Sequence, residues 1–483
     1  MSETILVFSR SRDQAGLVAR TLRCREVFCL PVPFDMPRAE AEALAPRGLI
    51  VISDDYSPEA LDGFDSELLT SGIPVLALGG AAATLCCRFG GEASAALCER
   101  SAITLGLRDD LLFEEISGGE RMLHGLATLT LPDELLPIAT ATEQVIGFRH
   151  EKLCLYAMQY PIERNDPDAA QLLYNFACGV CGAKPSWDET IIIDRAVEQI
   201  RQSAPEGRVL CAVSGGVDSA VCARLTSMAV GDRLKCVFVD TGLFRRHEPQ
   251  SVIETFRENL GIEVELVDAS ENFLRAMGGM IRPQDKERIA SQMMSQLLIK
   301  QCAVDPEICT VVLGTNFNDT FLMPASVSEI AAGERAVSVC EPIRSLFKDE
   351  VRRLAGVLEL PASITGRQPF PSSGLALRVM SSVTAEKLKL LRQADAIFRE
   401  EITSGGHDRR LWQYYATLIE SPDNPEGYAV CLRATQAARG GALAARLPYD
   451  VLERAAERIR DEVPGVTRVV YDLTPSVHYG ELE

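Results

Sequence analysis

Ser214, Gly215, Gly216, Val217, Asp218 and Ser219 follow one another in an order suited to holding a phosphate or pyrophosphate. Two glycines allow a tight turn and a close approach of backbone to ligand. Two hydroxyls and the free N–H groups of a helix starting after the glycines would point into the same hollow, which makes an anion cradle. The Gly-Lys-Ser/Thr ending of a Walker A loop is missing. Such a cradle needs a strand to deliver it and a helix to leave it. Arg208–Val213 is a short apolar run of the kind that forms a buried parallel strand, and Ala220–Leu225 can continue as a helix.

The neighbouring segments repeat this alternation. Cys236–Asp240 predicts a second strand ending in a carboxylate, followed by Gly242-Leu243-Phe244-Arg245; Val264–Asp268 predicts a third. Thr310–Thr315 predicts a fourth, carrying Gly314 and leading to Asn316-Phe317-Asn318-Asp319. Open α/β sheets bind ligands at the carboxyl ends of their strands. A single acidic residue there is more often a turn cap, but recurrence beside a phosphate loop favours a site. A helix over Glu189–Ser203 leads into the loop, after a linker at Lys184–Trp187. Upstream, Ile5–Phe8, Gly48–Ile52 and Pro74–Leu78 read as strands of a further α/β layer. Downstream, the turn-rich Arg367–Gly374 precedes a long helix, from about Thr384 to Thr403, and a closing strand over Val466–Asp472. The expected architecture is α/β in three domains, spanning 1–185, 186–365 and 366–483, the last a small α+β unit.

A chain of 483 residues with 47% hydrophobic and 24% charged residues has ample material for such cores. Its net charge of −19 argues against nucleic acid or an anionic membrane as a broad electrostatic partner. No apolar run approaches a membrane span and no signal peptide is expected at Met1-Ser2-Glu3-Thr4. Fifteen cysteines read as reduced, mostly buried thiols of a cytoplasmic protein. Cys178 and Cys181 have redox or half-zinc spacing, but no second pair follows at a suitable distance, so a structural role is expected.

SGGVDS resembles the pyrophosphate loop of the N-type ATP pyrophosphatases. With CVFVDTGL, EPIRSLFKDEVRRL (341–354), RQPFP (367–371), LPYD (447–450) and RVVYD (468–472), the whole chain resembles the glutamine-hydrolysing GMP synthase family. The resemblance implies a class I glutamine amidotransferase domain, an ATP-pyrophosphatase domain and a C-terminal dimerisation domain forming a homodimer. It implies adenylation of the C2 oxygen of xanthosine monophosphate by ATP, then displacement of AMP by ammonia. By the same resemblance Ser214–Ser219 and Gly314 hold ATP, Asp218 binds Mg²⁺ and Asp240 contacts the adenosine side. Arg245 and Lys348 are catalytic candidates, and Arg245, Asp319, Lys348, Arg367, Pro371, Gly374 and Glu481 face the acceptor.

The amidotransferase part departs from the family where its chemistry lies. The nucleophile elbow Gly-Ile-Cys-Tyr-Gly registers on Ala77–Ala81, which puts Gly79 in the nucleophile's place, and a glycine cannot form a thioester. Gln-Phe-His-Pro-Glu registers on Gln159–Glu163, so Pro161 replaces the histidine and Glu163 alone survives. Ser53-Asp54-Asp55-Tyr56 lies where the oxyanion segment is expected, and carboxylates there oppose an oxyanion. The expectation is an inactive glutaminase and ammonia supplied externally, a separate glutaminase being one source. Near the acceptor, the family's Pro-Gly-Pro-Gly becomes Pro371-Ser372-Ser373-Gly374, and Pro475 stands where a lysine grips the nucleotide phosphate. Weakened phosphate binding follows. A different acceptor or nucleophile, and a non-catalytic nucleotide-binding homologue, are the alternative readings.

Overall fold

The computed structural model describes residues 4–57, 59–94, 101–123, 126–321, 329–333, 335–368, 370–421, 424, 427–438 and 441–474. The chain divides into two compact units, Met1–Ile191 and Ile192–Glu483.

In the first unit, apart from a short two-stranded pairing of Glu92–Ala93 with Leu129–Thr130, the strands are β1 (Ile5–Ser9), β2 (Cys29–Val32), β3 (Gly48–Ser53), β4 (Val75–Gly79), β5 (Ser101–Leu107), β6 (Gly119–Leu123), β7 (Leu135–Ala141), β8 (Gln144–His150) and β9 (Leu155–Met158). They form a single sheet in the order β2-β1-β3-β4-β9-β8-β7-β5-β6. The half from β2 to β9 is parallel, and its strands read as continuous apolar runs because both faces are covered. The other half is antiparallel, a hairpin-built extension that the expected α/β alternation does not include. Leu6, Phe8, Val51, Ala77 and Phe148 belong to the buried core, which also receives helix α1 (Gly80–Arg88). Cys181 is buried, and its thiol occupies the space a side chain at Gly48 would need. Burial raises the thiol's pKa, so it behaves as a packing group.

Helix α2 (Glu189–Ser203) has the predicted limits. The second unit then contains β10 (Arg208–Ala212), α3 (Val217–Val230), β11 (Leu234–Asp240), α4 (Glu248–Thr255), β12 (Val264–Asp268), α5 (Pro283–Val304), β13 (Ile308–Val312), β14 (Glu329–Ala332), β15 (Arg335–Cys340) and α6 (Lys348–Val357). The sheet order is β12-β11-β10-β13-β15-β14, parallel except for the β14–β15 hairpin. The chain runs outward from β10 to β12 and then returns to the other side of β10 as β13. That reversal leaves a crevice at the carboxyl end of β10, the usual place for a ligand in an open α/β sheet.

The same unit ends with α7 (Ala385–Ser404), β16 (Gln413–Glu420), β17 (Tyr428–Ala438), β18 (Gly441–Ala444), α8 (Tyr449–Glu462) and β19 (Val466–Tyr471). Thr384 caps α7 by accepting the Lys387 N–H, as the predicted start requires. β17 pairs with β16 along one edge, and with β18 and β19 along the other. One buried core contains Val239, Leu243 and Phe273 from the first part of this unit and Leu391, Phe398, Leu418 and Ala455 from its end. Residues on both sides of position 366 therefore pack together. No described helix is long and apolar enough to cross a membrane.

Lys286 on α5 is almost fully buried and donates to the carbonyls of Ala376, Val379 and Ser381 at 3.1, 2.6 and 3.0 Å. It thereby closes the turn after residues 374–378. Burial, aided by the charge of Lys387, lowers its pKa to about 8. Because the folded pKa lies below the unfolded one, the unfolded chain binds the extra proton between these values, so stability from this group rises with pH. Relative to Lys286→Met, the native chain should gain stability from about pH 8 towards the ordinary lysine pKa of ~10.4, as measured by denaturant unfolding at stepped pH. A parallel pH dependence in both proteins would refute the linkage.

Candidate active site

β10 delivers the chain to Ser214 beside the ends of β11 and β13. Gly215 has φ +77, a left-handed conformation suited to glycine, and a Cβ there would collide with the Arg367 guanidinium and lie 2.5 Å from Val252 Cγ2. Ser219 Oγ accepts the Ser214 N–H at 3.1 Å, donates to Gly216 O at 3.0 Å and lies 3.2 Å from Ser214 Oγ. The loop is therefore tied across itself. Gly216 forms the N-cap of α3, with Asp218 in the first turn, so the free N–H groups of the helix start open on the loop. Gly314 lets the segment after β13 approach α3: a Cβ there would lie 3.2 Å from Asp218 C and Ser219 N.

Lys348 opens α6, whose start is fixed by Glu350 Oε2 accepting the Phe347 N–H at 2.8 Å and by Phe347 packing edge-on against Phe317 at 4.7 Å. Its Nζ meets Asp218 Oδ2 at 2.5 Å across 130 residues of sequence. The other carboxylate oxygen, Asp218 Oδ1, is buried and has no hydrogen-bond partner among the described residues. Asp319 Oδ2 accepts the Asn316 N–H at 2.9 Å. Burial raises the pKa of its carboxyl, and the nearby Asp218 charge adds to that. Two carboxylates and a lysine thus gather beside the Ser214–Ser219 loop. Among the described residues no cluster of three or more metal-binding side chains exists. One or two carboxylates completed by substrate phosphates are how Mg²⁺ is usually held, and the free Asp218 Oδ1 suits that role.

Asp240 ends β11, and its Oδ1 accepts the Gly242 N–H at 2.8 Å, so part of its capacity goes to closing the turn. Arg245 is nearly buried, 3.4 Å from Asp395 Oδ2, with its guanidinium 4.4 Å over the Phe370 ring. Asp395 also lies 3.6 Å from Arg378 and accepts the Ala416 N–H at 3.0 Å. It reads in the sequence as an ordinary helix position, and only the fold reveals it between two guanidiniums. Arg367 pairs with Glu248 and donates to Ser214 O at 3.4 Å. Gly215, Arg245 and Arg367 thus line one cleft of about 370 Å³. Pro371 and Gly374 are buried: Gly374, with φ +57, rests on Leu243, and Leu375 N donates to Leu243 O at 2.7 Å. They fix the loop carrying Arg245 and do not line that cleft. Glu481 and Pro475 lie outside the described residues.

In the first unit, Gly79 ends β4 with φ +65 and ψ −131, the sharp strand-to-helix turn on which a nucleophile would ride. A Cβ at Gly79 would stand 2.5 Å from Ser53 O, and one at Gly80 would overlap Asp55 O. The 53–57 loop is held there by Thr84 Oγ1 donating to Ser57 O at 3.1 Å, and by Asp55 accepting Ser57 N and Oγ at 2.8 and 2.9 Å. Two glycines admit this loop where the elbow would otherwise carry side chains. Pro161 follows β9, the strand beside β4, and is half-buried, while Glu163 is exposed.

A parallel sheet with a glycine-serine loop and a helix start at its reversal point defines an open α/β protein with a ligand-sized crevice at that point. Residues 192–389 match the NAD synthase family model, and residues 400–477 match the model of the GMP synthase C terminal domain. Along nearly its whole length the chain is 33% identical to a glutamine-hydrolysing GMP synthase of Syntrophomonas wolfei, covering 98% of each chain. It is 35% identical to one of Brucella suis, covering 98% of this chain and 97% of that one. A third relative, the glutamine-hydrolysing GMP synthase of Symbiobacterium thermophilum, is 34% identical over 98% of this chain and 97% of its own. The chain belongs to the GMP synthase family.

Proposed function

We propose that this chain is an ATP-dependent carbon–nitrogen ligase of the GMP synthase type, acting on a purine nucleotide carbonyl and fed with ammonia from outside. The observation that carries the reading is the Asp218–Lys348 pair at the start of α3, with Asp218 Oδ1 left unpartnered beside the phosphate loop. The carbonyl oxygen of the acceptor attacks the α-phosphorus of ATP, and the bond to pyrophosphate breaks. Ammonia then adds to the activated carbon, AMP leaves with the oxygen, and the nitrogen releases its extra proton.

Ser214, Gly215, Gly216, Val217 and Ser219 cradle the departing pyrophosphate with backbone N–H groups and hydroxyls. Lys348 places a positive charge where negative charge accumulates. Asp218, with Asp319 nearby, would hold Mg²⁺, which neutralises the phosphate charge when bound. Asp240 and Gly314 bound the adenosine side, and Arg245 and Arg367 face the acceptor. Pro371 and Gly374 act through the Arg245 loop that they support.

The glutaminase reaction has no nucleophile in this reading, because Gly79 and Pro161 stand in the required places. Ammonia therefore comes from solution or from a separate glutaminase. Exposed Leu443, Tyr449 and Leu473 near the chain's end favour a homodimer through that part. A cytoplasmic setting suits the described cysteines, all of which are free thiols. The test is pyrophosphate release measured with ATP, Mg²⁺, ammonium and a series of purine nucleotides. Release that needs both a purine nucleotide and ATP is expected. Its absence with every purine acceptor would sink the ligase reading in favour of a nucleotide-binding homologue.

A further inference from the structure

The cleft beside the pyrophosphate loop continues past Arg245. A second cleft, of about 470 Å³, shares Ser363, Arg367 and Arg399 with the first and ends against Trp412 and Tyr414. The two clefts adjoin along Arg367 and Arg399, which line both. Together their walls carry five guanidiniums, from Arg245, Arg246, Arg352, Arg367 and Arg399, against the carboxylates of Glu248 and Asp408, with Asp395 behind Arg245. This positive excess stands out in a chain of net charge −19.

The arginines at the seam are fixed before any ligand arrives. Arg367 is held by Glu248 and by Ser214 O. Arg399 donates to Gln368 Oε1 at 3.2 Å and lies 4.8 Å over the Tyr414 ring. Burial, together with the Arg399 charge, lowers the Arg367 pKa to about 10. Two like charges held close in a sheltered groove are relieved by an anion between them. Guanidinium forks suit the oxygens of a phosphate, and the aromatic wall suits a flat ring or a sugar face.

We propose that this groove, with Arg399 and Arg367 as its clamp, binds the phosphate monoester of the acceptor nucleotide. The inference rests on the ligase reading above. It supplies the cationic grip that Pro475 lacks, from residues far from the chain's end. Weakened phosphate binding is the expectation when only the C-terminal segment is considered, and the groove removes the reason for it. The same chemistry would also suit pyrophosphate from the ATP end, and the experiment separates the two sources.

Calorimetry with a non-hydrolysable ATP analogue present would titrate xanthosine 5′-monophosphate and xanthosine into the full chain and into Arg399→Ala and Arg399→Lys. Loss of a charged hydrogen bond to phosphate should weaken the monophosphate roughly 10- to 150-fold in Arg399→Ala. Xanthosine, pyrophosphate and the ATP analogue should bind as before, and Arg399→Lys should recover part of the loss. An equal loss for monophosphate and nucleoside would make Arg399 merely structural and overturn the proposal. So would a loss confined to pyrophosphate or the ATP analogue, unchanged affinity, or failure of the native chain to bind the monophosphate. Pyrophosphate release is read separately. Monophosphate binding through Arg399 without turnover would refute the ligase reading and leave the subsite intact.

Discussion

Asp218→Ala should lose pyrophosphate release by about 10²-fold or more, the scale seen when a group acting on developing charge is removed. The reason is the division of labour between its two oxygens. Oδ2 is paired with Lys348 Nζ, while Oδ1 is buried and unpartnered among the described residues. A buried acceptor without a partner costs stability unless a ligand completes it. Removing the side chain relieves that cost but leaves the part-buried Lys348 without its carboxylate, so the two effects on the fold oppose each other while the bound state loses its ligand. The melting temperature should change little, and the pyrophosphate-release rate at saturating ATP should collapse. Lys348→Met should be comparably damaging, and the double variant scarcely worse, because the two side chains act as a unit. An Asp218→Ala protein with native activity would show that the loop does not bind the reacting phosphates.

The form of the Ser214–Ser219 loop was legible in the sequence because everything it needs is local. A strand, two glycines, two hydroxyls and a helix start fall within about a dozen residues, and the left-handed Gly215 and the Ser219 cross-ties follow directly. Strand ends such as Asp240 were legible as positions but not as roles, since the Gly242 N–H takes one carboxylate oxygen. Arg399, Trp412 and Asp395 gave no signal. Each sits at an ordinary helix or loop-edge position, and the groove exists only because α7 and the segment before β16 pack against Arg367. The antiparallel half of the first sheet was missed for a related reason. Short alternating runs between Ser101 and His150 carry a weaker pattern than the continuous apolar strands β1, β3 and β4.

The native chain should release no glutamate from glutamine, and restoring the missing groups in Gly79→Cys/Pro161→His should not start it. The turn after β4 has the form of an elbow, with Gly79 at φ +65, so the expected inactivity does not rest on a collapsed turn. What has changed is the space around it. A Cβ at Gly79 would stand 2.5 Å from Ser53 O, and Gly80 is pressed against Asp55 O. A thiolate there would start against the Ser53 carbonyl oxygen, an acceptor, instead of the N–H donors that an oxyanion needs. Thr84 and Asp55 tie the 53–57 loop in place, so the loop would have to be rebuilt along with the nucleophile. Glutamate release should stay at background in both proteins, and an electrophilic glutamine analogue should not label the introduced cysteine. Ammonium should support equal pyrophosphate release in the two, with unchanged circular dichroism showing that the variant folds. Glutamate formed by the native chain at the rate of pyrophosphate release would overturn the ammonia-fed reading. Activity appearing only in the double variant would show instead that the loop yields and that Gly79 and Pro161 alone silence the domain.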